Sequence, residues 1–313
     1  MDEAFVKDGG IDKARLKALA RRSDARGLLQ LASHLAAIAL TSAGLLLLDG
    51  AWSLPLLVAQ GLLLTFLFAP AHETIHRTAF RSRWLNDAVA WLCGAVLVLP
   101  PEYFRAFHFA HHRYTQDPVK DPELASGPRD SLGSYLLHLS GLPYWRERIG
   151  TTLRHALSGR VTEPYVTARQ APLLVREARL LWLLYLALAA ASLATGSWVA
   201  VWLWLIPALL GQPALRAYLM AEHGGCPRIP DMLRNTRTTK SNALVRWLAW
   251  NMPYHVEHHA YPALPFHALP AAHQELEDRI AVLAPGYLAV HAELLRRAIT
   301  AAAATAKSSA KRR

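Results

Sequence analysis

Eight histidines fall into three short groups in this chain of 313 residues: His72-Glu73-Thr74-Ile75-His76, His108-Phe109-Ala110-His111-His112 and His255-Val256-Glu257-His258-His259. Neutral imidazole is the commonest side-chain metal ligand, and a nitrogen-rich set suits iron, zinc, copper or nickel. The spacing is that of ligands on helices. Positions three and four apart share a face, so His72 and His76 point the same way. In an H-x-x-H-H group the first and third rings do so, and the second nearly does. Half of these residues would saturate a four-coordinate zinc ion. Eight together suggest two metals in one shared site.

Something must bring the groups together, and the composition says that it is a membrane-embedded scaffold. The net charge is +11, and the 53% apolar content is gathered into long runs, unlike the core of a large soluble domain. The two cysteines, Cys93 and Cys226, belong to no C-x-x-C pair, so neither a disulfide framework nor a thiolate metal site is expected. Residues 1–26 are basic (Lys7, Lys13, Arg15, Lys17, Arg21, Arg22, Arg26) and lack the apolar centre of a signal peptide. Within them, residues 4–21 suit a short amphipathic helix on the membrane surface.

Four segments read as spans: about 27–48, 51–69, 178–195 and 197–219. Asp49-Gly50 closes the first hairpin and Thr195-Gly196-Ser197 the second. His34 lies within the first span, outside every group. An intramembrane histidine is a functional candidate by default. Residues 86–100 are apolar but shorter than the ~20 residues needed to cross. If they crossed, His108 would emerge opposite His72. They are therefore expected to be re-entrant or interfacial, ending at Pro100-Pro101. Residues 113–177 are polar, with turn signals at Asp117-Pro118, Asp121-Pro122, Gly127-Pro128 and Gly141-Leu142-Pro143, and read as a cap that is helical in pieces. Residues 271–300 suit surface helices, and 301–313 a basic tail near anionic lipid. The hairpin loops carry no Lys or Arg, while both ends and the centre of the chain do. By the positive-inside rule both termini, and all three boxes, lie in the cytoplasm. The expected fold is all-α: an integral membrane protein of four transmembrane helices in two hairpins, with a cytosolic helical cap carrying the boxes. One domain, 27–300, stands between two basic tails.

Three such boxes on two hairpins, followed by Ala260-Tyr261-Pro262-Ala263-Leu264-Pro265-Phe266-His267-Ala268-Leu269-Pro270, resemble the membrane fatty acid desaturase and hydroxylase superfamily, bacterial fatty acid desaturases most closely. The likeness covers roughly residues 30–275. It implies a non-haem di-iron centre, with O2 as co-substrate, that removes hydrogen from an unactivated C–H bond of a lipid. It implies a C=C bond as product, or in a hydroxylase or ketolase an oxygenated lipid. It implies a bacterial inner membrane location and electrons from a ferredoxin-, rubredoxin- or cytochrome b5-type donor. No His-Pro-Gly-Gly haem motif occurs, so that donor is expected to be a separate protein. Similar desaturases complete the metal site with a histidine at the end of the fourth span. Here that is His223, and Gly224-Gly225 would turn the backbone away. Asn251, one helical turn before His255, is a weaker candidate, acting through a water.

Ligating histidines give their second N–H to a carboxylate or carbonyl. Glu73, Glu222, Glu257, Asp117 and Asp121 are near enough in sequence to serve. Arg105, Arg113 and Arg237 suit a headgroup or a donor protein, or simply the membrane surface. Two other readings stay open. His72-Glu73-x-x-His76 matches H-E-x-x-H, the zinc metalloprotease motif, with Glu73 as general base. A non-enzymatic haem or metal carrier would need axial histidines inside the spans.

Overall fold

The computed structural model describes residues 10–48, 50–127 and 129–310. Expectations for Lys7, Asp49, Pro128 and residues 311–313 fall outside these.

Helix α1, Lys13–Leu19, starts where the Asp12 carboxylate accepts from the amides of Ala14 and Arg15. It is shorter than the helix expected over 4–21. Ser23 caps α2, Asp24–Leu47, in the same way. After a tight turn, α3 (Ser53–Thr65) runs with a small offset into α4 (Phe68–Ile75), one apolar rod of 23 residues. Next come α5, Arg83–Leu97, and α6, Pro101–Tyr114, bent by 94° from each other. The bend has local causes. Val98 is left-handed at φ 55°, and Pro100 and Pro101 cannot continue a hydrogen-bonded helix. The bent pair keeps the rings of His72 and His108 only 4.3 Å apart, so the chain returns to the level it left.

The expected polar cap is helical in pieces, α7 (Leu132–Leu139) and α8 (Leu142–Ser158). Helix α9, Ala171–Thr195, ends on Gly196 at φ 64°. A π-helical turn, Val201–Leu205, leads into α10, Ile206–His223. Three helices are long and apolar enough to cross a membrane: Asp24–Leu47, Ser53–Ile75 and Ala171–Thr195. The bent pair makes a fourth only if counted as one span. The stretch expected as the fourth span is helical, yet Gln212, Arg216 and the in-helix Pro213 dilute its hydropathy. It is held instead by close backbone packing. A Cβ on Gly61 of α3 would lie 2.3 Å from the Pro207 carbonyl oxygen, and one on Gly211 would lie 2.1 Å from that of Gly61. Only glycine permits this approach, as at small-residue crossings between membrane helices.

The remaining elements frame the third box: α11 (Met232–Asn235), α12 (Ala243–Leu248), α13 (His255–Ala260), α14 (Leu269–Leu276) and α15 (Tyr287–Ala310). The alanine-rich end, expected as a tail from 301, continues α15 to Ala310. Strand β1, Thr238–Thr239, pairs in parallel with β2, Leu283–Ala284, and ties the segment before the third box to the one after it.

Candidate metal centre

Four helix ends converge. His72 lies in the last turn of α4 and His76 caps it; α6 carries His108, His111 and His112. His223 ends α10, and α13 carries His255, His258 and His259. The turn that presents α13 uses Trp250 and Asn251 at φ 50° and 58°. Such conformations cost non-glycine residues about 1–3 kcal/mol each. Here burial of Trp250 and the bond from the Asn251 amide to the Arg246 carbonyl (2.8 Å) hold them. Arginines brace two of the box ends. Arg105 donates to the Ile75 carbonyl of α4 at 3.1 Å; Arg237 donates to Ala221 of α10 and, at 2.8 Å, to Gly224. Cations suit helix C-termini, where carbonyls lack partners. Both residues thus carry a structural contact at a box end, whichever of the headgroup, donor or membrane-surface roles expected of them they also serve. Arg113 is exposed.

The nine imidazoles form two nests. His72, His76, His108, His112 and His258 make one, with ligand nitrogens within 4.8 Å of one another. His111, His223 and His259 make the second. His255 adjoins it, its Nε2 3.1 Å from that of His223. The middle ring of each H-x-x-H-H group therefore does not nearly follow its neighbours; it enters the other nest. Successive helical residues point about 100° apart. His108 and His112 go one way and His111 the other; His255 and His259 go one way and His258 the other.

Hydrogen bonds alone cannot account for the contacts. An imidazole nitrogen carries either one hydrogen or one lone pair, so it serves one partner. Yet His112 Nε2 stands 2.8 Å from His108 Nε2 and 3.0 Å from His258 Nε2. Likewise His223 Nε2 stands 3.2 Å from His111 Nε2 and 3.1 Å from His255 Nε2. Two nitrogens bound to one cation at about 2.1 Å, at right angles, would be about 3 Å apart. His72 Nδ1 and Nε2, His76 Nε2 and His259 Nε2 are buried with no partner. Leaving such atoms unpaired costs about 1–3 kcal/mol each. The donor set fits two cations. In the third box, burial first and neighbouring imidazoles second push His255, His258 and His259 well below the ordinary histidine range, which keeps them in the neutral, ligating form.

The carboxylates expected behind the histidines separate. Asp121 accepts from His111 Nδ1 at 2.9 Å, and Glu222 lies 3.4 Å from His255 Nδ1. The other three serve elsewhere. Glu73 accepts from Thr78 Oγ1 (2.7 Å) and the Phe266 amide (3.3 Å). Glu257 accepts from Thr238 Oγ1 (2.6 Å) and His273. Asp117 caps its own turn through the amides of Val119 and Lys120. Asn251 donates to the Phe266 carbonyl at 3.2 Å and bonds no box histidine. His34 bonds the Leu63 carbonyl at 2.9 Å and tilts against Trp247, a structural tie between α2 and α3. Two contacts were not anticipated. Thr115 Oγ1 lies 3.3 Å from His259 Nδ1, and Gln116 Nε2 donates to the His223 carbonyl at 2.7 Å. Thr115 stands four residues after His111, so helical spacing could have found it.

A cavity of about 20 Å³, room for about one water-sized molecule, reaches the nests. Its apolar wall includes Phe66, Phe68, Leu215 and Met252; His72, His108, His111 and His255 end it.

Fold and site together define a helical membrane protein with a buried polyhistidine centre able to hold metal. The fatty acid desaturase family model matches residues 50–291, and the chain belongs to that family. It is 28% identical over 239 residues to the dihydrorhizobitoxine desaturase of Bradyrhizobium elkanii, covering 71% of this chain and 65% of that one. It is 25% identical over 235 residues to the sn-1 oleoyl-lipid 12-desaturase of Synechocystis sp., covering 70% and 66%. A shorter stretch of 76 residues is 30% identical to the Delta(12) fatty acid desaturase of Mortierella isabellina, 24% of this chain and 19% of that one. The chain thus spans just under two thirds of the two bacterial relatives. Glu73, turned to Thr78 and Phe266, gives no support to the zinc protease reading, and the family match replaces it. The one histidine buried within the first span, His34, bonds a backbone carbonyl through Nε2 and gives no support to the haem-carrier reading.

Proposed function

We propose that the chain is a membrane-bound, di-iron, oxygen-dependent acyl-lipid desaturase that introduces a C=C bond. The observation that carries this reading is the double contact of His112 Nε2 and of His223 Nε2, each with two further imidazole nitrogens. His72, His76, His108, His112 and His258 would hold one iron. His111, His223, His255 and His259 would hold the other. When bound, iron supplies oxygen activation and hydrogen removal from the lipid chain. Oxygen is reduced to water by the electrons of the broken C–H bonds and of a separate ferredoxin-, rubredoxin- or cytochrome b5-type donor.

The protein's own groups orient and exclude. Asp121 keeps the proton of His111 on Nδ1, which leaves the Nε2 lone pair for the metal. Glu222 faces His255 Nδ1 at 3.4 Å without a formed hydrogen bond, and Thr115 orients His259. Phe66, Phe68, Leu215 and Met252 wall the small cavity beside the histidines with apolar surface. The proposed topology has four spans, with both termini and the boxes on the cytoplasmic side of a bacterial inner membrane; the 94° bend between α5 and α6 supports its re-entrant segment.

The test is lipid profiling of cells expressing the wild type or His108→Ala, beside iron analysis of both proteins. The reading expects unsaturated acyl chains and two irons per chain in the wild type, and loss of the unsaturated product in an inserted variant. Hydroxylated or keto lipids would move the assignment to the oxygenating branch. Unchanged conversion in the variant would refute it.

A further inference from the structure

Helix α8 is built inside out. Its four buried residues, Arg148, Thr151, Thr152 and His155, are all polar. Leu142, Ile149 and Leu157 stand seven and eight residues apart, about two turns each, and so form one stripe. They are 62%, 40% and 80% exposed. A surface helix of a soluble domain buries such a stripe and turns its polar face to water. Helix α7 adds the exposed Leu132, Leu136 and Leu137 and joins α8 through Ser140-Gly141.

The inward polar groups have partners. The Arg148 guanidinium lies 4.5 Å over the Tyr103 ring of α6. Trp182 of α9 donates from Nε1 to Thr152 Oγ1 at 3.2 Å, and His155 Nε2 stands 3.1 Å from a carboxylate oxygen of Glu163. On α7, the hydroxyl of the buried Tyr135 meets His291 Nδ1 at 2.8 Å. Rolling either helix over to hide its leucines would break these contacts, so the outward apolar face belongs to the fold. A contiguous face of this kind marks a membrane or a protein partner.

The surroundings select the membrane. Helix α9, against which α8 packs, is long and apolar enough to cross one, and its Leu180, Leu183 and Leu184 are exposed as well. Tyr144 donates to the Leu97 carbonyl at 2.7 Å, so α8 begins against the bend of α5 and α6. Arg146 and Arg160 are exposed beside and beyond the stripe, and Arg179 donates to the Ala156 carbonyl at its far end, 3.0 Å away. The acids here are engaged, Glu147 with Arg148 and Glu163 with Arg154. An apolar stripe edged by arginines is the pattern of a helix lying in a membrane interface. Arginine stems lie along apolar surface while the head reaches phosphate, and anionic lipid favours the charge.

We propose that α7 and α8 are seated in the cytoplasmic leaflet, with Leu132, Leu136, Leu142, Ile149 and Leu157 among the acyl chains and Arg146 at the phosphates. The partner is the bilayer itself, anionic lipid included. This moves both helices out of the cytosolic position expected for the segment. The inference rests on reading α9 as a span and is independent of the desaturase chemistry.

The test uses Leu136→Cys, Leu142→Cys, Ile149→Cys, Ser158→Cys and Leu183→Cys, each labelled with bimane in nanodiscs of phosphatidylcholine and phosphatidylglycerol. The full iron-loaded chain is used. Its own Cys93 and Cys226 are buried, and the unsubstituted chain gives the blank. Phosphatidylcholine with a doxyl group on its acyl chain quenches from lipid, and iodide quenches from water. Each site is compared with its own unquenched intensity, which cancels any loss to the metals. Leu183→Cys is the lipid reference and Ser158→Cys, exposed at the end of α8, the aqueous one. At positions 136, 142 and 149 doxyl quenching should match that of Leu183→Cys, and iodide quenching should fall several-fold below that of Ser158→Cys. Iodide quenching equal to Ser158→Cys at all three would put α7 and α8 in water and overturn the inference while α9 stands. Silence toward both quenchers would mean that a second copy or another protein covers the stripe, and would overturn it too. Iodide quenching at Leu183→Cys would refute the span, and the inference with it. Leu157→Cys replaces any stripe variant that does not fold. Lipid quenching without unsaturated product in cells would refute only the desaturase reading; unsaturated product with α8 in water would refute only this inference.

Discussion

Asp121→Asn is the sharpest probe of the two-nest arrangement. Asp121 Oδ1 accepts from His111 Nδ1 at 2.9 Å, with both side chains 2% exposed. The carboxylate also accepts from the amides of Gln116 (2.8 Å) and Glu123 (3.0 Å). Asparagine keeps the shape and one acceptor but removes the charge that strengthens the bond to His111. Losing such a partner behind a ligating histidine costs about 10–100-fold in metal affinity, or about 1.4–2.8 kcal/mol. His111 belongs only to the smaller nest. The loss should therefore fall on one of two metals. The assay is chelator competition on the purified protein, following iron released per chain. The wild type should release both irons over one range of chelator; the variant should release one at about 10–100-fold less chelator and keep the other. Simultaneous release, or an unchanged titration, would refute the division of the histidines.

His223→Ala should likewise lower bound iron to about one per chain and abolish conversion, whereas His267→Ala, whose ring faces Arg26 at 3.0 Å, should retain both. Gly211→Ala forces a Cβ against the Gly61 carbonyl and should cost about 1–3 kcal/mol as an overpacked contact; thermal unfolding in detergent measures it, and an unshifted midpoint would contradict the crossing. His273 is held above its ordinary value of 6.5, first by its hydrogen bond to Glu257. Its protonated form stabilises the fold fully below that value, and the contribution fades as pH rises through the raised one; His273→Gln should flatten this slope, so matching pH–stability profiles would sink the argument. A cysteine at Gly196 should label from outside the cell and one at Ser131 only after the membrane is opened; outside labelling at Ser131 would make residues 86–100 a span.

Much of the centre was legible because ligand spacing is a helical property. The boxes, the break at Pro100-Pro101, the turn at Gly196 and the nearness of His223 all follow from local chemistry. Two things were not legible. Which carboxylate backs which histidine depends on direction more than on sequence distance. Glu73 beside His72 and Glu257 beside His258 point about 100° away from their neighbours, toward Thr78 and Thr238 instead. Asp121 can turn back on His111 because it lies in a loop, and Glu222 reaches a histidine of another element. The extent of the fourth helix was also hidden. Its hydropathy is diluted by Gln212 and Arg216, and what holds it is a glycine contact between residues 150 positions apart in sequence.

The division of each H-x-x-H-H group between nests bears on biosynthesis. Helix α13 supplies His258 to one nest and His255 and His259 to the other, and it emerges late, after all of α2 to α10. Neither nest has its full donor set while the chain is shorter than about 260 residues. Completion of the donor sets thus becomes a checkpoint on the chain itself: a chain truncated before α13 would lack a finished pocket in either nest.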